Sequence, residues 1–407
     1  MYKNRNLVAL YGATLFSGLG TGCLLVLVYW TIVTEFNRSS IIATTSSVSY
    51  LLCFLILPNI SRYIDRYNKV RLLQLFYLVA GSAQLLFSYL YSSGEYEVYI
   101  LIIAMLVSIV IRMIDQASRL AIVQSLVDKE AYHKTSRQLE ILRQAITLIS
   151  GGVAWFVIDS VSMGTMLLID ASTFFFGAIF LLLICTENNK NENAEDKKNS
   201  LLDDIKMTVS LYKNNAYFCT FLTLSIMPYV LVLSQSNIHP AHVDSLLHLS
   251  GDVYAIMGLL FGIGSLFAPF LSAALKQRGL STEMVIIASF LGYCVSSILI
   301  FAYPEVYVTY LCMLLFSMFH SVIRIERIAY IMEHTPKHVI GRVSGSFELI
   351  GLTLIVGIIF IAGQVADHLS VYSAWVLMAT ISILFFLSLL SLYFSRSRQA
   401  KPRSIVI

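Results

Sequence analysis

The residues able to do chemistry here are charges placed where a membrane makes charge costly. Arg112, Asp115 and Arg119 are spaced i, i+3, i+7 in an otherwise apolar stretch, so a helix would put them on one face. His320, Arg324 and Arg327 repeat the pattern at i, i+4, i+7, with Glu326 about 100° away from Arg327. An arginine at the centre of a spanning helix costs about 2.5–3.5 kcal/mol on insertion scales, so it must face a partner, protein interior or water. Its planar fork suits carboxylates and phosphates. A carboxylate beside an arginine gains or loses a proton as the arginine leaves or returns; Asp115 beside Arg112 fits this, and His320 titrates near neutral pH in any case. Asp170, in another apolar run, is either a third proton carrier or a structural hydrogen-bond acceptor.

These charges sit in a chain of 407 residues that is 57% hydrophobic and 13% charged, with mean hydropathy +0.76. A soluble domain carries about 25% charged residues, so this chain could not cover a water-facing surface. Gly at 21, Pro at 7 and Cys at 6 exclude collagen, disorder and disulfide scaffolds. The six cysteines lie in apolar runs without CxxC spacing and read as small buried hydrophobes. Twelve apolar runs are expected to be spanning helices: 7–33, 40–60, 71–92, 97–124, 138–158, 163–185, 216–236, 252–275, 283–302, 306–332, 343–366 and 371–394. Their length excludes a barrel of short alternating strands. The first run, with no small-residue cleavage site behind it, is expected to be retained.

Lys and Arg placement sets the expected orientation. With the N-terminus inside, 22 of the 28 basic residues fall in cytoplasmic segments, one (Arg38) falls outside, and five lie within helices. Both termini are therefore expected in the cytoplasm. The net charge of +4 follows from topology and does not suggest nucleic-acid binding. The polar stretch around Glu187–Asp204 bisects the chain, giving an N-terminal half (1–186), a linker (187–214) in which Leu201–Tyr212 could be an amphipathic surface helix, and a C-terminal half (215–407). An offset of 208 aligns Arg119 with Arg327, Glu140 with Glu348, Lys134 with Arg342 and Arg112 with His320, consistent with six plus six helices.

Between the second and third runs stands Ser61-Arg62-Tyr63-Ile64-Asp65-Arg66-Tyr67-Asn68-Lys69-Val70-Arg71. It resembles the G-x-x-x-D-R-x-G-R-R loop of the major facilitator superfamily. Asp65 and Arg66 match, Lys69 matches in charge, and Ser61 and Asn68 replace glycines; Asn tolerates the left-handed backbone. Arg112-Met113-Ile114-Asp115-Gln116 is similar to the R-x-x-Q-G motif of its proton antiporters, with Asp115 where Gln is usual. Ser150-Gly151-Gly152 only partly matches a Gly-Pro-rich antiporter motif. Ser344-Gly345-Ser346 and Gly363–Asp367 resemble the bacterial branch that includes macrolide efflux pumps and siderophore exporters.

The resemblance implies an all-α membrane protein of twelve transmembrane helices in two pseudo-symmetric six-helix halves, with the fourth and tenth helices lining a central cavity. Arg112, Asp115, His320, Arg324 and Asp170 are then candidates for substrate or proton contact. Asp65, Arg66, Arg119, Glu140, Arg327 and Glu348 are candidates for an intracellular gate. The expected activity is secondary transport, with a proton gradient as energy source and no cofactor. The basic residues favour export of a small amphipathic anion such as a carboxylate-type siderophore. Multidrug or macrolide efflux, and import of an anionic nutrient or metal–chelate complex, are the alternatives. Expected partners are a small-molecule substrate and membrane lipids, for a monomer in a bacterial inner membrane. There is no phosphate-binding loop or nucleophile–base constellation, so an enzyme is not expected. Tyr11, Trp30, Tyr50 and Tyr229 could line the cavity, and Gly258, Gly262 and Gly264 suit close helix packing. His239, His242 and His248 are expected in an exposed loop whose spacing matches no rigid metal site.

Overall fold

The computed structural model describes the backbone of residues 2–66, 68–94, 97–127, 132–184, 215–335 and 340–399. Among the described residues twelve long helices follow one another: α1 (Tyr2–Phe36), α2 (Ser39–Arg66), α3 (Lys69–Ser92), α4 (Glu97–Leu126), α5 (Tyr132–Val157), α6 (Met163–Leu182), α7 (Ala216–Ser236), α8 (Gly251–Gln277), α9 (Thr282–Ala302), α10 (Val306–His334), α11 (Ile340–His368) and α12 (Val371–Gln399). No strand occurs among the described residues. Eleven of the helices carry a stretch long and apolar enough to cross a membrane, and α5 contributes a shorter apolar stretch, Ile141–Val157. Each expected run thus coincides with a helix, and most helices extend beyond the run. The expected linker helix, 201–212, lies outside the described residues.

Local signals set the helix ends. Asn68 caps α3, its side-chain oxygen accepting from the Val70 and Arg71 amides at 3.1 and 3.2 Å. Its backbone is extended (φ −63°, ψ 107°), which corrects the reason given for tolerating Asn there: the residue serves as a cap, not as a left-handed turn. Ser162 and Ser281 cap α6 and α9 in the same way. Helix α7 is interrupted at Ile226 because Pro228 has no amide hydrogen to continue the ladder. The Tyr229 amide bonds the Ile226 carbonyl at 3.0 Å, one residue short of its helical partner, Ser225.

The chain divides into two compact units: Met1–Lys197 with Leu249–Leu259, and Lys198–His248 with Leu260–Ile407. In the first unit, α1, α3, α4 and α6 share a core that includes Leu10, Leu73, Tyr77, Ile122, Phe174 and Leu181. Gly177 lets α6 approach closely; a Cβ there would meet the Tyr77 ring at 2.9 Å and the Ala13 carbonyl at 3.3 Å. The start of α8 belongs to this unit, Tyr254 stacking on Trp30 with ring centroids 6.0 Å apart.

In the second unit, α12 buries Trp375, which stacks on Phe316 of α10 at 6.3 Å. A Cβ on Gly264 of α8 would lie 2.3 Å from the Leu314 carbonyl of α10, so these two backbones touch. Elsewhere large apolar side chains such as Leu86, Phe156, Leu182, Phe270 and Phe394 are exposed, as lipid-facing positions require.

The segment between α7 and α8 departs from expectation. It is a short helical turn (His239–Ala241) running into a π-turn (His242–Leu247), and both histidines are buried, His242 with no exposed surface. The expectation is corrected for these two, whose imidazoles pack against Trp375 with centroids 5.7 and 5.5 Å away, whereas His248 is exposed as expected. Among the described residues no cluster of three metal-ligating side chains occurs.

Candidate functional site

In the first unit the site is built on α4 with α1, α2 and α3 around it. Asp115 is buried, and its Oδ2 pairs with Arg119 Nη2 at 2.7 Å. The i, i+4 order with the acid first is the favoured orientation on a helix. The other carboxylate oxygen accepts from the Tyr77 hydroxyl of α3 at 2.8 Å. Ser17 of α1 lies 2.9 Å from the Tyr77 hydroxyl and 2.9 Å from the Ala13 carbonyl. Tyr77 spends its only proton on Asp115, so Ser17 supplies the proton to one of its two neighbours.

Arg112 goes elsewhere. It is exposed and hydrogen-bonds the buried Tyr50 hydroxyl of α2, with Tyr29 of α1 close by. This corrects the expected pairing of Asp115 with Arg112. Three residues turn a helix through about 300°, which here directs Arg112 toward α2, while the carboxylate reaches one turn further along to Arg119. Asp170 of α6 is fully buried, and its Oδ1 accepts from Thr21 Oγ1 of α1 at 3.2 Å. Tyr11 donates to Gln138 Oε1 at 2.9 Å.

In the second unit the corresponding row lies on α10. His320 is buried and stacks on Tyr229 of α7, with centroids 5.8 Å apart and rings inclined by 20°. Arg327 Nη1 donates to the Ser225 carbonyl at 3.2 Å. That acceptor is the one released by the break in α7, so the proline-induced interruption and the arginine fit together. Arg324, between these two, is half-buried. Glu326 faces away from the row, to α8, where it accepts from Ser272 and pairs with Lys276 Nζ at 3.2 Å.

Side chains of Asp65, Arg66, Glu140 and Glu348, the remaining gate candidates, lie outside the described residues. Two groups were missed from sequence. Tyr77 forms one buried polar face of α3 with Gln84 and Ser88, at i, i+7 and i+11; that spacing was the available signal. Glu283 joins four helices: its Oε1 accepts from Tyr217 of α7 at 3.2 Å, Tyr330 of α10 at 2.8 Å and Arg396 of α12 at 2.9 Å. Arg396 also lies 4.2 Å over the Tyr217 ring. Read only as a topology charge, Arg396 gave no hint of this anchoring role.

Among known proteins, the family model described as Major Facilitator Superfamily matches residues 214–406, a little under half of the chain. No curated protein matches it. Solved structures match over nearly the full length. The nucleoside transporter NupG aligns at 14% identity and TM-score 0.70, covering 96% of this chain and 99% of that one. A bacterial homologue of the human lysosomal transporter Spinster aligns at 11% identity and TM-score 0.70, covering 98% and 97%. A bacterial homologue of the iron transporter ferroportin aligns at 15% identity and TM-score 0.68, covering 95% and 98%. At these identities the likeness establishes the fold: this chain folds as those transporters do.

Proposed function

We propose that this protein is a secondary active transporter working by alternating access, and that it exports a small amphipathic anion in exchange for protons. A carboxylate-type siderophore represents the substrate class. The observation that carries the reading is the pair of basic rows, Arg112 beside the Asp115–Arg119 pair on α4 and His320 with Arg324 and Arg327 on α10, one in each compact unit. Rows of arginine at membrane depth are costly, and recognition of a carboxylate or phosphate is a use that offsets the cost. The aromatic rings of Tyr50 and Tyr229 beside these rows suit the apolar part of an amphipathic ligand.

The fold of the transporters it resembles in structure supports transport, and the export direction rests on the resemblance of Ser344-Gly345-Ser346 and Gly363–Asp367 to bacterial exporters. The protein acts as a monomer in a bacterial inner membrane with both termini inside, in keeping with the distribution of Lys and Arg. No cofactor enters the scheme, which proceeds by binding and release rather than by catalysis.

Binding to detergent-purified protein tests the anion preference. A panel of carboxylate chelators and of cationic amphiphiles is titrated against wild type and Arg112→Ala. The expected result is binding of the chelators only, weakened about tenfold or more in the variant, since charge-assisted hydrogen bonds contribute roughly 1.5–3 kcal/mol. Binding confined to the cationic amphiphiles, or unchanged chelator binding in Arg112→Ala, would sink the reading.

A further inference from the structure

The first unit contains a second buried carboxyl whose surroundings differ from those of Asp115. Asp115 has Arg119 at 2.7 Å. Among the described residues Asp170 has no ion-pair partner and no charged side chain beside it, and its Oδ2 has no hydrogen-bond partner there. Its polar neighbours are hydroxyls. Thr21 donates to Oδ1 at 3.2 Å, and the Thr173 hydroxyl is within hydrogen-bond reach of the carboxyl while lying 2.8 Å from the Asp170 carbonyl.

The described residues of the packed helices bring no counter-charge. Helix α1 presents Gly20, Thr21 and the thiol of Cys23, which donates to the Ser150 carbonyl of α5. Helix α3 presents Gly81 beside the Ala171 carbonyl, and its titratable Tyr77 lies further along, against Phe174 and Gly177. The site also depends on a missing side chain. A Cβ on Gly20 would lie 2.0 Å from Thr173 Oγ1 and 2.7 Å from Asp170 Oδ1, filling the space where the two helices bring their oxygens together.

Oxygen donors without nitrogen are the ligand set of hard cations. A single carboxylate in a dry site is neutralised by one positive charge, whereas a divalent ion would leave a buried net charge. We propose that Asp170, Thr21 and Thr173 form a binding site for a small monovalent cation, a proton or Na⁺, and that this is the ion coupled to transport. The coupling half of the statement rests on the transport reading above; the cation site itself does not. Of the proton carriers the sequence offered, Asp115, His320 and Asp170, it selects Asp170, because Asp115 already has its counter-charge on its own helix.

The test uses the full chain in detergent and the hydrophobic reagent dicyclohexylcarbodiimide, which attacks protonated buried carboxyls. Modification is mapped by peptide mass spectrometry across about pH 5 to 9, with NaCl, LiCl or KCl present. The expected result is labelling at Asp170 that falls about tenfold per pH unit above its midpoint. A proton site is insensitive to the salts, whereas a Na⁺ site is protected by NaCl or LiCl but not by KCl; either pattern upholds the proposal. Thr21→Val combined with Thr173→Val leaves the carboxyl and its helix in place, and is expected to shift the midpoint or abolish the salt protection. Labelling absent at Asp170 at every pH overturns the site, as does labelling that neither pH, salt nor the threonine changes alter. If Asp170 behaves as expected but substrate accumulation ignores every ion gradient, the site stands and the transport reading falls. If accumulation follows a gradient while Asp170 stays unlabelled, the reverse holds.

Discussion

Removing the hydroxyl of Tyr77 isolates one bond in the α4 site. Tyr77→Phe keeps the ring, which packs edge-on against Phe174 at 5.6 Å, and deletes only the group that donates to Asp115 at 2.8 Å and meets Ser17 at 2.9 Å. A hydrogen bond to a charged group contributes about 1.5–3 kcal/mol in a water-soluble protein. In a bilayer the unfolded reference state also finds partners, and interhelical bonds measured by double-mutant cycles average about 0.6 kcal/mol with a maximum near 1.7. The membrane scale applies here, and the ionic acceptor places this bond toward its top, so a coupling of about 1–1.5 kcal/mol is expected. The assay is a cycle of Tyr77→Phe, Asp115→Asn and the double variant, read as unfolding free energy in mixed micelles. The two single changes should fall short of additivity by that coupling, Asp115→Asn still costing the Arg119 ion pair once Tyr77→Phe is made. A coupling below about 0.3 kcal/mol would mean that the Tyr77–Asp115 bond contributes little and that Arg119 alone holds the carboxylate.

Three further outcomes follow from particular contacts. Gly264→Ala forces a methyl group to within 2.3 Å of the Leu314 carbonyl and should destabilise by about 1–3 kcal/mol, because a backbone atom cannot move aside. Gly357→Ala meets nothing within 4 Å inside α11 and should be neutral or stabilising by up to about 1 kcal/mol in the same unfolding assay. The buried imidazoles make stability pH-dependent: desolvation lowers His239 to about 3, with His242 adding to the effect, and lowers His242 to about 4. The folded state binds fewer protons than the unfolded chain, so this contribution is full above the ordinary value of 6.5 and is lost as pH falls from there toward 4 and 3. Each histidine should cost roughly 1.4 kcal/mol per pH unit in that window, and His242→Gln should flatten the profile measured between about pH 7 and pH 5. An unchanged slope in the variant would show that His242 is not the group responsible.

The helices were legible because apolar run length is a strong signal, and every run appears as a helix. Orientation of side chains around those helices was legible only in part. His320 and Arg327 do share a face, one meeting Tyr229 and the other Ser225, both on α7. Sequence spacing could not choose between Arg112 and Arg119 as the partner of Asp115, since i−3 and i+4 neighbours are both in reach on a helix. Tyr77, contributed by a different helix, holds the other carboxylate oxygen; its spacing with Gln84 and Ser88 marks a buried polar face of α3 but does not name Asp115 as the partner. The aligned Arg119 and Arg327 illustrate the limit of the internal repeat: one pairs with a carboxylate on its own helix, the other bonds a carbonyl freed by Pro228 of α7. His239 and His242, between α7 and α8, were misjudged because polar residues in a connector suggest water. Here the connector coils back as a π-turn over Trp375, and burial follows from that packing rather than from composition.

Transport in everted membrane vesicles tests the central claim most directly. Labelled carboxylate chelators and cationic drugs are offered with a proton gradient imposed or collapsed, in wild type and in Arg112→Ala. The account requires gradient-dependent accumulation of a chelator that is lost in the variant. Accumulation of cationic drugs alone would contradict the anion reading and assign the protein to multidrug efflux. Accumulation of neither class, with chelator uptake appearing instead in right-side-out vesicles, would contradict export.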